Sequence, residues 1–331
     1  MGEPEEVAPG IFRIIQTISR FKFSVNIYVI TGPDGLVFDS GFGSRRACNG
    51  LVRSVNRISS RVRNRGEACR ITRAMASHGH WDHFSGLAHL QNRLGLEILA
   101  TETQALKFGA KENYRHFFWE EREMLEPSPG PENSWRKIRN HLINALVIKL
   151  FRVRFVPGPI TPVREKGRLS VNGQSWEVIP VPGHCDDDIV LFNRSNGILL
   201  GGDLIFRSVT TWLGPMKSDL GLYLESLERI RQLPGLKLIL PAHGSPVTNP
   251  RERIQEAIGH RNKRTEEILQ LVRAAGGRGI SFRGVYGRGY PGKSFQRGLL
   301  GGWIVVTLKY LLDRGDILSV KNGGERLFIP G

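Results

Sequence analysis

Ser77-His78-Gly79-His80-Trp81-Asp82-His83 is the stretch of the 331-residue sequence that decides the fold. It overlaps the end of a predicted strand, Ile71 to Ser77, and opens a predicted helix from about His83 to Leu94. Three imidazoles and one carboxylate within six residues fit neither a helix face nor a strand face, so they need a loop that turns them toward one point. Imidazole and carboxylate are ligands of zinc and similar divalent ions. The alternative interpretation is a histidine cluster on the surface.

The first motif resembles the H-x-H-x-D-H signature of the metallo-β-lactamase superfamily, and the resemblance predicts further ligands downstream, in order, each at the end of a strand. They are His184 in Pro182-Gly183-His184, Asp203 in Gly201-Gly202-Asp203, and His243 in Pro241-Ala242-His243-Gly244. The first two follow hairpins predicted from the Asn172-Gly173 and Asn196-Gly197 turns. A single His or Asp after Gly is usually a turn residue. Four such sites in succession, each at a strand end, indicate a metal centre.

The resemblance implies that His78, His80 and His184 bind one zinc ion and that Asp203 bridges to a second. The second ion is then bound by Asp82, His83 and His243. The family's chemistry implies a dinuclear zinc hydrolase whose metal-bridging hydroxide attacks a carbonyl or phosphoryl centre; iron or manganese could replace zinc.

Two aspartates near the ligands have further implied roles. Asp82 is the expected catalytic residue, because its carboxylate can orient the hydroxide and carry its proton. Phe38-Asp39-Ser40-Gly41 resembles the family's aspartate-containing turn, so Asp39 is expected to hold the ligands in orientation. An ordinary turn aspartate is the alternative for Asp39. Cys185 follows a ligand, but neighbouring side chains at a strand end point in different directions, so it is not expected to bind metal.

The order of predicted elements favours a mixed α/β fold, the αββα sandwich of this superfamily. We assign residues 1–250 to it, with an insertion or cap at about 103–165. Residues 251–331 read as helix, Gly/Arg-rich stretch, helix and hairpin, the layout of a winged-helix domain. The stretch His184-Cys185-Asp186-Asp187-Asp188 resembles the G-H-T-D-D-H segment of the β-lactamase-like endoribonuclease branch, with Cys185 in place of Thr and Asp188 in place of His.

Basic residues are in large excess, with 47 Lys and Arg against 31 Asp and Glu, a net charge of +16 and a pI near 10.3. Residues 40–66 contain seven Arg and no acidic residue, and 133–164 and 268–312 are similarly one-sided. Such tracts could contact phosphates. Solvated surfaces, or an Arg-rich proteome, are the alternative explanation.

The predicted insertion carries an apolar stripe that includes Leu142 and Leu146, with Trp135 at its front. The stripe could pack on the sandwich, lie at a membrane interface, or cap an apolar pocket over the metals. A cap suits an ester, thioester or lactone, so a small-molecule substrate is preferred. A metal-dependent endoribonuclease acting on single-stranded RNA is the alternative function. A nucleic-acid-binding module with a vestigial metal site is a third hypothesis, and the intact ligand set argues against it.

Composition excludes several classes of protein. A hydrophobic fraction of 40% over this length supports a packed core and excludes a disordered or fibrous chain. The longest mostly apolar runs are too short to span a membrane, and the acidic N-terminus is unlike a secretory leader. The expected location is therefore the cytoplasm, and a homodimer is compatible with the sequence. Three scattered cysteines argue against a disulfide framework.

Overall fold

The computed structural model describes residues 2–18, 23–111, 114, 145–146, 148–214, 217–289 and 297–331. Of the three predicted cap residues, Leu146 is among them. Trp135 and Leu142 lie outside the described residues.

The first sheet consists of seven strands that lie side by side in chain order. They are β1 (Glu5–Ala8), β2 (Ile11–Ile18), β3 (Phe23–Ile30), β4 (Gly35–Phe38), β5 (Ile71–Met75), β6 (Glu97–Ala100) and β7 (Ile160–Pro162). The first four strands are antiparallel to one another, and β4 to β7 run parallel. The parallel half places the carboxyl ends of β4 and β5 at the same edge of the sheet.

The second sheet has five strands in the order β12-β11-β10-β9-β8. They are β8 (Arg168–Val171), β9 (Gln174–Pro180), β10 (Ile189–Asn193), β11 (Ile198–Gly202) and β12 (Leu238–Pro241). The two predicted hairpins are confirmed, since β8 pairs with β9 and β10 pairs with β11 in antiparallel fashion. β11 and β12 are parallel, so their carboxyl ends also meet at one edge.

The described residues include eight α-helices, several of which cover the outer faces of the two sheets. They are α1 (Arg45–Arg63), α2 (Trp81–Phe84), α3 (Leu87–Leu94), α4 (Glu102–Gly109), α5 (Leu220–Arg231), α6 (Pro250–Ala275), α7 (Phe282–Gly289) and α8 (Arg297–Asp313). Between the sheets, Phe38 and Met75 of the first share a core with Trp176 and Leu191 of the second. Separate cores join α1 and α3 to the first sheet, and α5 and α6 to the second. The prediction of two sheets covered by helices is confirmed.

The C-terminal region consists of helices and a small sheet. Strands β13 (Ile280–Ser281), β14 (Ile317–Asn322) and β15 (Glu325–Pro330) pair in the order β13-β15-β14. The Gly/Arg-rich stretch contains a 3₁₀ turn, β13 and α7, and its Ile280 and Val285 are buried in the local core. α6 contributes Ile254 to the sandwich core and Val272 to the C-terminal core. The winged-helix assignment and the boundary at residue 250 stay predictions.

The range 103–165 begins and ends inside the sandwich. Phe108 of α4 stacks on Phe84 with ring centroids 4.9 Å apart, and β7 pairs with β6. The assignment of an insertion or cap at about 103–165 stays a prediction. Among the described helices, none is both long enough and apolar enough to cross a membrane.

Candidate metal centre

The predicted ligands lie together where the strands of both sheets end. His78 to His83 follow β5, His184 follows β9, Asp203 follows β11 directly, and His243 follows β12. Parallel pairing of β11 with β12 brings the last two loops to one edge. Packing of the two sheets then brings this edge to the loop after β5. The structure thus brings together all seven residues that the sequence predicts as ligands.

The seven residues form three overlapping groups of candidate ligands, and one of these consists of His78, His83 and Asp203. In His78, His80 and His184 one candidate ligand atom from each lies within 4.8 Å of the others, and the same holds for Asp82, His83 and His243. Asp203 lies between the groups: its Oδ2 is 3.5 Å from His184 Nε2, and its Oδ1 is 3.3 Å from His243 Nε2.

Several buried atoms of the candidate ligands have no hydrogen-bond partner among the described residues. They are Nε2 of His78, His80 and His83, and Oδ1 of Asp203, all buried. A buried polar atom without a partner costs roughly 1–3 kcal/mol, so such a cluster is unfavourable unless something else satisfies it. Imidazole nitrogens and a carboxylate that converge in this way are a donor set that fits zinc, iron or manganese.

The ring orientation of four histidines is fixed from behind. His78 Nδ1 is 3.1 Å from Asp188 Oδ1, and His83 Nδ1 is 3.2 Å from Asp39 Oδ2. His184 Nδ1 donates to the carbonyl of Trp212 at 2.7 Å, and His243 Nδ1 donates to the carbonyl of Ser24 at 2.5 Å. Each interaction leaves Nε2 of the ring directed at the centre, which is how proteins orient metal-binding histidines.

Asp39 supports the ligand loop from the neighbouring strand. Its Oδ1 accepts hydrogen bonds from the backbone N–H of Ser77 at 2.8 Å and from the Ser77 hydroxyl at 2.9 Å. The backbone of Asp39 is in the left-handed conformation, with φ 65°. Aspartate adopts this conformation more readily than most residues other than Gly and Asn. Ser40, the next residue, donates its N–H to the carbonyl of His83 at 2.7 Å. That carbonyl is therefore not available to one continuous helix, and the helix predicted from His83 to Leu94 forms as α2 and α3.

Gly202 explains the Gly-Gly-Asp pattern before Asp203. Its φ is +48°, and a Cβ added there would lie 2.8 Å from Cβ of Ser77. A larger residue would push the end of β11 away from the ligand loop after β5. The glycine therefore allows Asp203 to reach both groups of ligands.

The two groups of ligands differ in their protonation. Burial lowers the pKa of His78, His80 and His184, and the neighbouring imidazoles add to this for the first two. Burial alone would also lower the pKa of His83, but Asp82, Asp203 and Asp39 outweigh it and raise that pKa well above its usual value. Against the same burial, Asp203 and Asp82 raise the pKa of His243 to about 9. Carboxylates thus create a strongly cation-attracting region around His83 and His243.

Helix α4 braces the two ligand loops, a role that the sequence analysis missed. The side-chain amide of Gln104 donates to the carbonyls of Ser77 at 2.9 Å and Asp187 at 3.1 Å, so it ties the loop after β5 to the loop after β9. Lys107, one turn later and 2% exposed, places Nζ 2.6 Å from Asp187 Oδ1 and also bonds Asp186. The capping box of Thr101 with Gln104 was the only local signal of this helix.

Lys107 also accounts for a second cluster of possible ligands. Cys185, Asp186 and Asp187 lie close enough together to hold an ion. The ammonium of Lys107 lies among them, 3.5 Å from Cys185 Sγ, and supplies the positive charge there. Burial raises the pKa of the Cys185 thiol, and the Asp187 carboxylate adds to it, so the thiol stays protonated. The expectation that Cys185 does not bind metal stays a prediction.

Aromatic side chains form an apolar wall beside the centre. Phe23 and Phe206 lie 4.9 and 5.3 Å from the ring centroid of His243. Trp81 stacks on Phe42 at 5.4 Å and on Phe151 at 4.0 Å. We refer to Phe23, Phe42, Trp81, Phe151 and Phe206 as the aromatic wall. Such a surface favours an apolar substrate group next to the ligands.

Comparisons with known proteins agree with this geometry. Residues 20–243 match the family model described as the Metallo-beta-lactamase superfamily. A probable metallo-hydrolase of Bacillus subtilis (strain 168), YqjP, is 24% identical over 75% of this chain and 76% of its own length. The acyl-coenzyme A thioesterase MBLAC2 of Bos taurus is 26% identical over 72% of this chain and 80% of its own length.

A solved structure extends the similarity of fold to nearly the whole chain. The crystal structure of a metallo-beta-lactamase family protein from Thermus thermophilus superimposes with a TM-score of 0.71. It covers 98% of this chain and 100% of its own, at 22% identity. The C-terminal helices and small sheet therefore accompany the sandwich in a protein of known structure.

We expect the protein to take up about two zinc ions per chain and to release protons as it does so. With no metal bound, His83 and His243 hold protons at pH 7, because the carboxylates raise their pKa values. Zinc must displace these protons, so its affinity should fall as the pH is lowered from 8 to 6. Competition with a chromophoric chelator measures the affinity, and calorimetry in buffers of different ionisation enthalpy measures proton release. His260→Gln, a change outside the cluster, should leave both unchanged; failure to bind zinc, iron or manganese at neutral pH contradicts the assignment.

We also expect Lys107→Met to destabilise the protein and weaken zinc binding, whereas Cys185→Ser should change little. Removing the ammonium leaves two carboxylates uncompensated beside His184, at a cost of about 3–5 kcal/mol in the free energy of unfolding. Ser at position 185 keeps a donor for Asp187. Urea denaturation and zinc affinity are the measurements. Wild-type behaviour of Lys107→Met would show that α4 does not brace the loop.

Proposed function

We propose that this chain, a metallo-hydrolase that belongs to the metallo-beta-lactamase superfamily, hydrolyses acyl thioesters at a dinuclear zinc centre. The observation that carries the proposal is the aromatic wall directly beside the seven convergent ligands. The similarity to a protein named an acyl-coenzyme A thioesterase supports it.

In this proposal His78, His80 and His184 hold one ion, Asp82, His83 and His243 hold the other, and Asp203 contacts both. The fit rests on the unpartnered buried atoms that face one another between these side chains. Bound there, two zinc ions would supply a water whose pKa is lowered toward neutrality and a Lewis acid for the carbonyl oxygen. Iron or manganese would suit the same donors.

Asp82 is the residue that we propose to manage the proton. Burial would raise its pKa, but His83 and His243 outweigh this and lower it, so the side chain is a carboxylate at neutral pH. Its Oδ2 lies 3.5 Å from Nε2 of both histidines, at the inner face of the ligand cluster. From this position it can orient the attacking water, accept its proton and pass the proton on to the departing thiol.

The reaction needs no nucleophilic side chain. The oxygen of water bonds to the acyl carbon, the C–S bond breaks, and the products are a carboxylic acid and a thiol. The aromatic wall would bind the acyl chain and exclude bulk water from the reacting carbonyl. Esters and lactones react by the same steps. Their alkoxide leaves less readily than a thiolate, so they differ from thioesters only in the rate of hydrolysis.

The basic tracts support single-stranded RNA as the alternative substrate. α1 carries seven arginines over its length and the two residues that follow it, with no acidic residue between Ser40 and Gly66. A phosphodiester would be attacked by the same water. This alternative needs a surface that holds several consecutive phosphates.

We expect the zinc-loaded protein to hydrolyse long-chain acyl thioesters faster than lactones or single-stranded RNA. Asp203→Ala should reduce thioester hydrolysis by more than about 100-fold. Asp39→Asn should reduce it by roughly 10- to 100-fold, because Asp39 only orients ligands. Thiol release, measured with a chromogenic disulfide, follows the reaction. Cys185→Ser is the control and should retain activity. Faster cleavage of RNA than of any acyl substrate would favour the alternative instead.

We expect Leu146→Asp and Leu150→Asp to raise the KM for a long-chain thioester while leaving zinc content unchanged. Both side chains are about 60% exposed, and the helical residues 148–151 end at Phe151, which stacks on Trp81. Loss of such apolar contacts costs about 1–3 kcal/mol, or roughly 10- to 200-fold.

Leu318→Asp is the matched control, because Leu318 is 51% exposed on β14 and far from the aromatic wall in sequence and fold. Equal KM values for all three variants and the parent would show that residues 145–151 are structural packing.

A further inference from the structure

A polar cavity of about 470 Å³ lies between the start of α1 and the first sheet. Its lining includes Gln16, Phe42, Ser44, Arg46, Arg53 and Arg57. Arg46, Arg53 and Arg57 recur at helical spacing, so they lie on one face of α1. Gly50, on the same face between the first two, also lines the cavity and adds no side chain to fill it.

The positive charge of this cavity is only partly neutralised. Arg57 forms an ion pair with Glu3 at the surface. Arg46 and Arg53 are exposed, and neither forms an ion pair with any carboxylate in the part of the chain that the structure describes. The two arginines are seven residues apart, about 10 Å along the helix axis. Guanidinium groups with this spacing can bind two separate phosphates, or one phosphate and one diphosphate.

The cavity adjoins the aromatic wall through Phe42, which lines both. The Phe42 ring centroid lies 6.2 Å from that of Phe23, and Phe23 lies 4.9 Å from His243. Two ring-to-ring steps therefore connect Phe42, at the cavity, to His243, at the metal centre. A substrate that has a phosphorylated end and a reactive thioester end, joined by a flexible arm, can occupy both places at once.

We infer that this cavity binds the phosphates of an acyl-coenzyme A substrate, with Arg46 and Arg53 as the phosphate-binding residues. The inference rests on the proposed thioesterase function and adds the thiol carrier to it. Phosphate binding by arginine would position the arm along Phe42 and Phe23, and the thioester would then reach the ligands. The volume suits the end of a small molecule. An RNA strand would need a basic surface that extends beyond the cavity. Next to Arg57, however, the surface carries the acidic side chain of Glu3.

The test compares Arg46→Gln/Arg53→Gln with a control of equal charge, Arg45→Gln/Arg70→Gln, whose positions are exposed and do not line the cavity. Each variant is assayed with an acyl-coenzyme A and with the same acyl group on N-acetylcysteamine, which has no phosphate. We expect the cavity variant to raise the KM for acyl-coenzyme A at least about tenfold for each arginine. Its kcat/KM for the N-acetylcysteamine thioester should match that of the parent, and the control variant should change neither.

Binding of desulfo-coenzyme A to the zinc-loaded protein, measured by calorimetry, tests the cavity without catalysis. We expect the cavity variant to bind it at least about tenfold more weakly than the parent and the control. If the parent hydrolyses thioesters but the two variants lose affinity equally, the inference fails while the proposed function stands. If the parent hydrolyses no thioester, the proposed function fails. A cavity variant that is impaired only with an acyl carrier protein would identify a protein-bound carrier and overturn the inference for coenzyme A.

Discussion

The structure depends on one electrostatic constraint: buried imidazoles and carboxylates from four loops must converge in a space that lacks enough protons to satisfy them. His78, His83 and Asp203 each present a buried atom with no hydrogen-bond partner among the described residues. Such a cluster costs several kcal/mol unless a cation binds it. The fold tolerates this cost because the loops are held by other elements. Asp39 and Asp188 fix two of the rings, and Gln104 ties two of the loops together.

Two clusters of possible ligands lie side by side, and they differ in what supplies the positive charge. At Cys185, Asp186 and Asp187 the cation is Lys107, built into the chain. Five of the seven residues at the neighbouring site have no lysine or arginine among their ion-pair partners in the described residues; they have one another. Gly79 allows both arrangements in so little space, because a Cβ there would lie 2.8 Å from the Lys107 side chain. The contrast explains why the cluster of Cys185, Asp186 and Asp187 is neutralised by the chain itself, whereas the cluster of histidines with Asp82 and Asp203 suits a metal ion.

Much of the fold and of the candidate site could be predicted from sequence because the signals are local. The hairpin turns at Asn172-Gly173 and Asn196-Gly197 fix the register of their strands, and ligands that follow strand ends can be read in order along the chain. Gln104 and Lys107 could not be found in this way. Their partners lie some 80 residues away, and only the packing of α4 against the loop after β9 brings them there. The cavity at α1 was missed for a related reason, since the spacing of the arginines shows that they share a helix face but not that Gln16 and Phe42 lie opposite them.

The distribution of polarity around the centre constrains the substrate more than the centre does. The same ligands can activate water against a thioester, a lactone or a phosphodiester, so specificity has to come from what surrounds them. Here an aromatic wall lies on one side, and an arginine-lined cavity opens beyond Phe42. The substrate therefore needs an apolar group beside the reacting bond and an anionic group at a distance from it. One molecule has both only when a long arm separates the two groups. A lactone lacks the anionic end, and RNA carries a phosphate at every nucleotide instead of one anionic end at a distance from the reacting bond. The two surfaces together therefore favour a thioester whose carrier is phosphorylated.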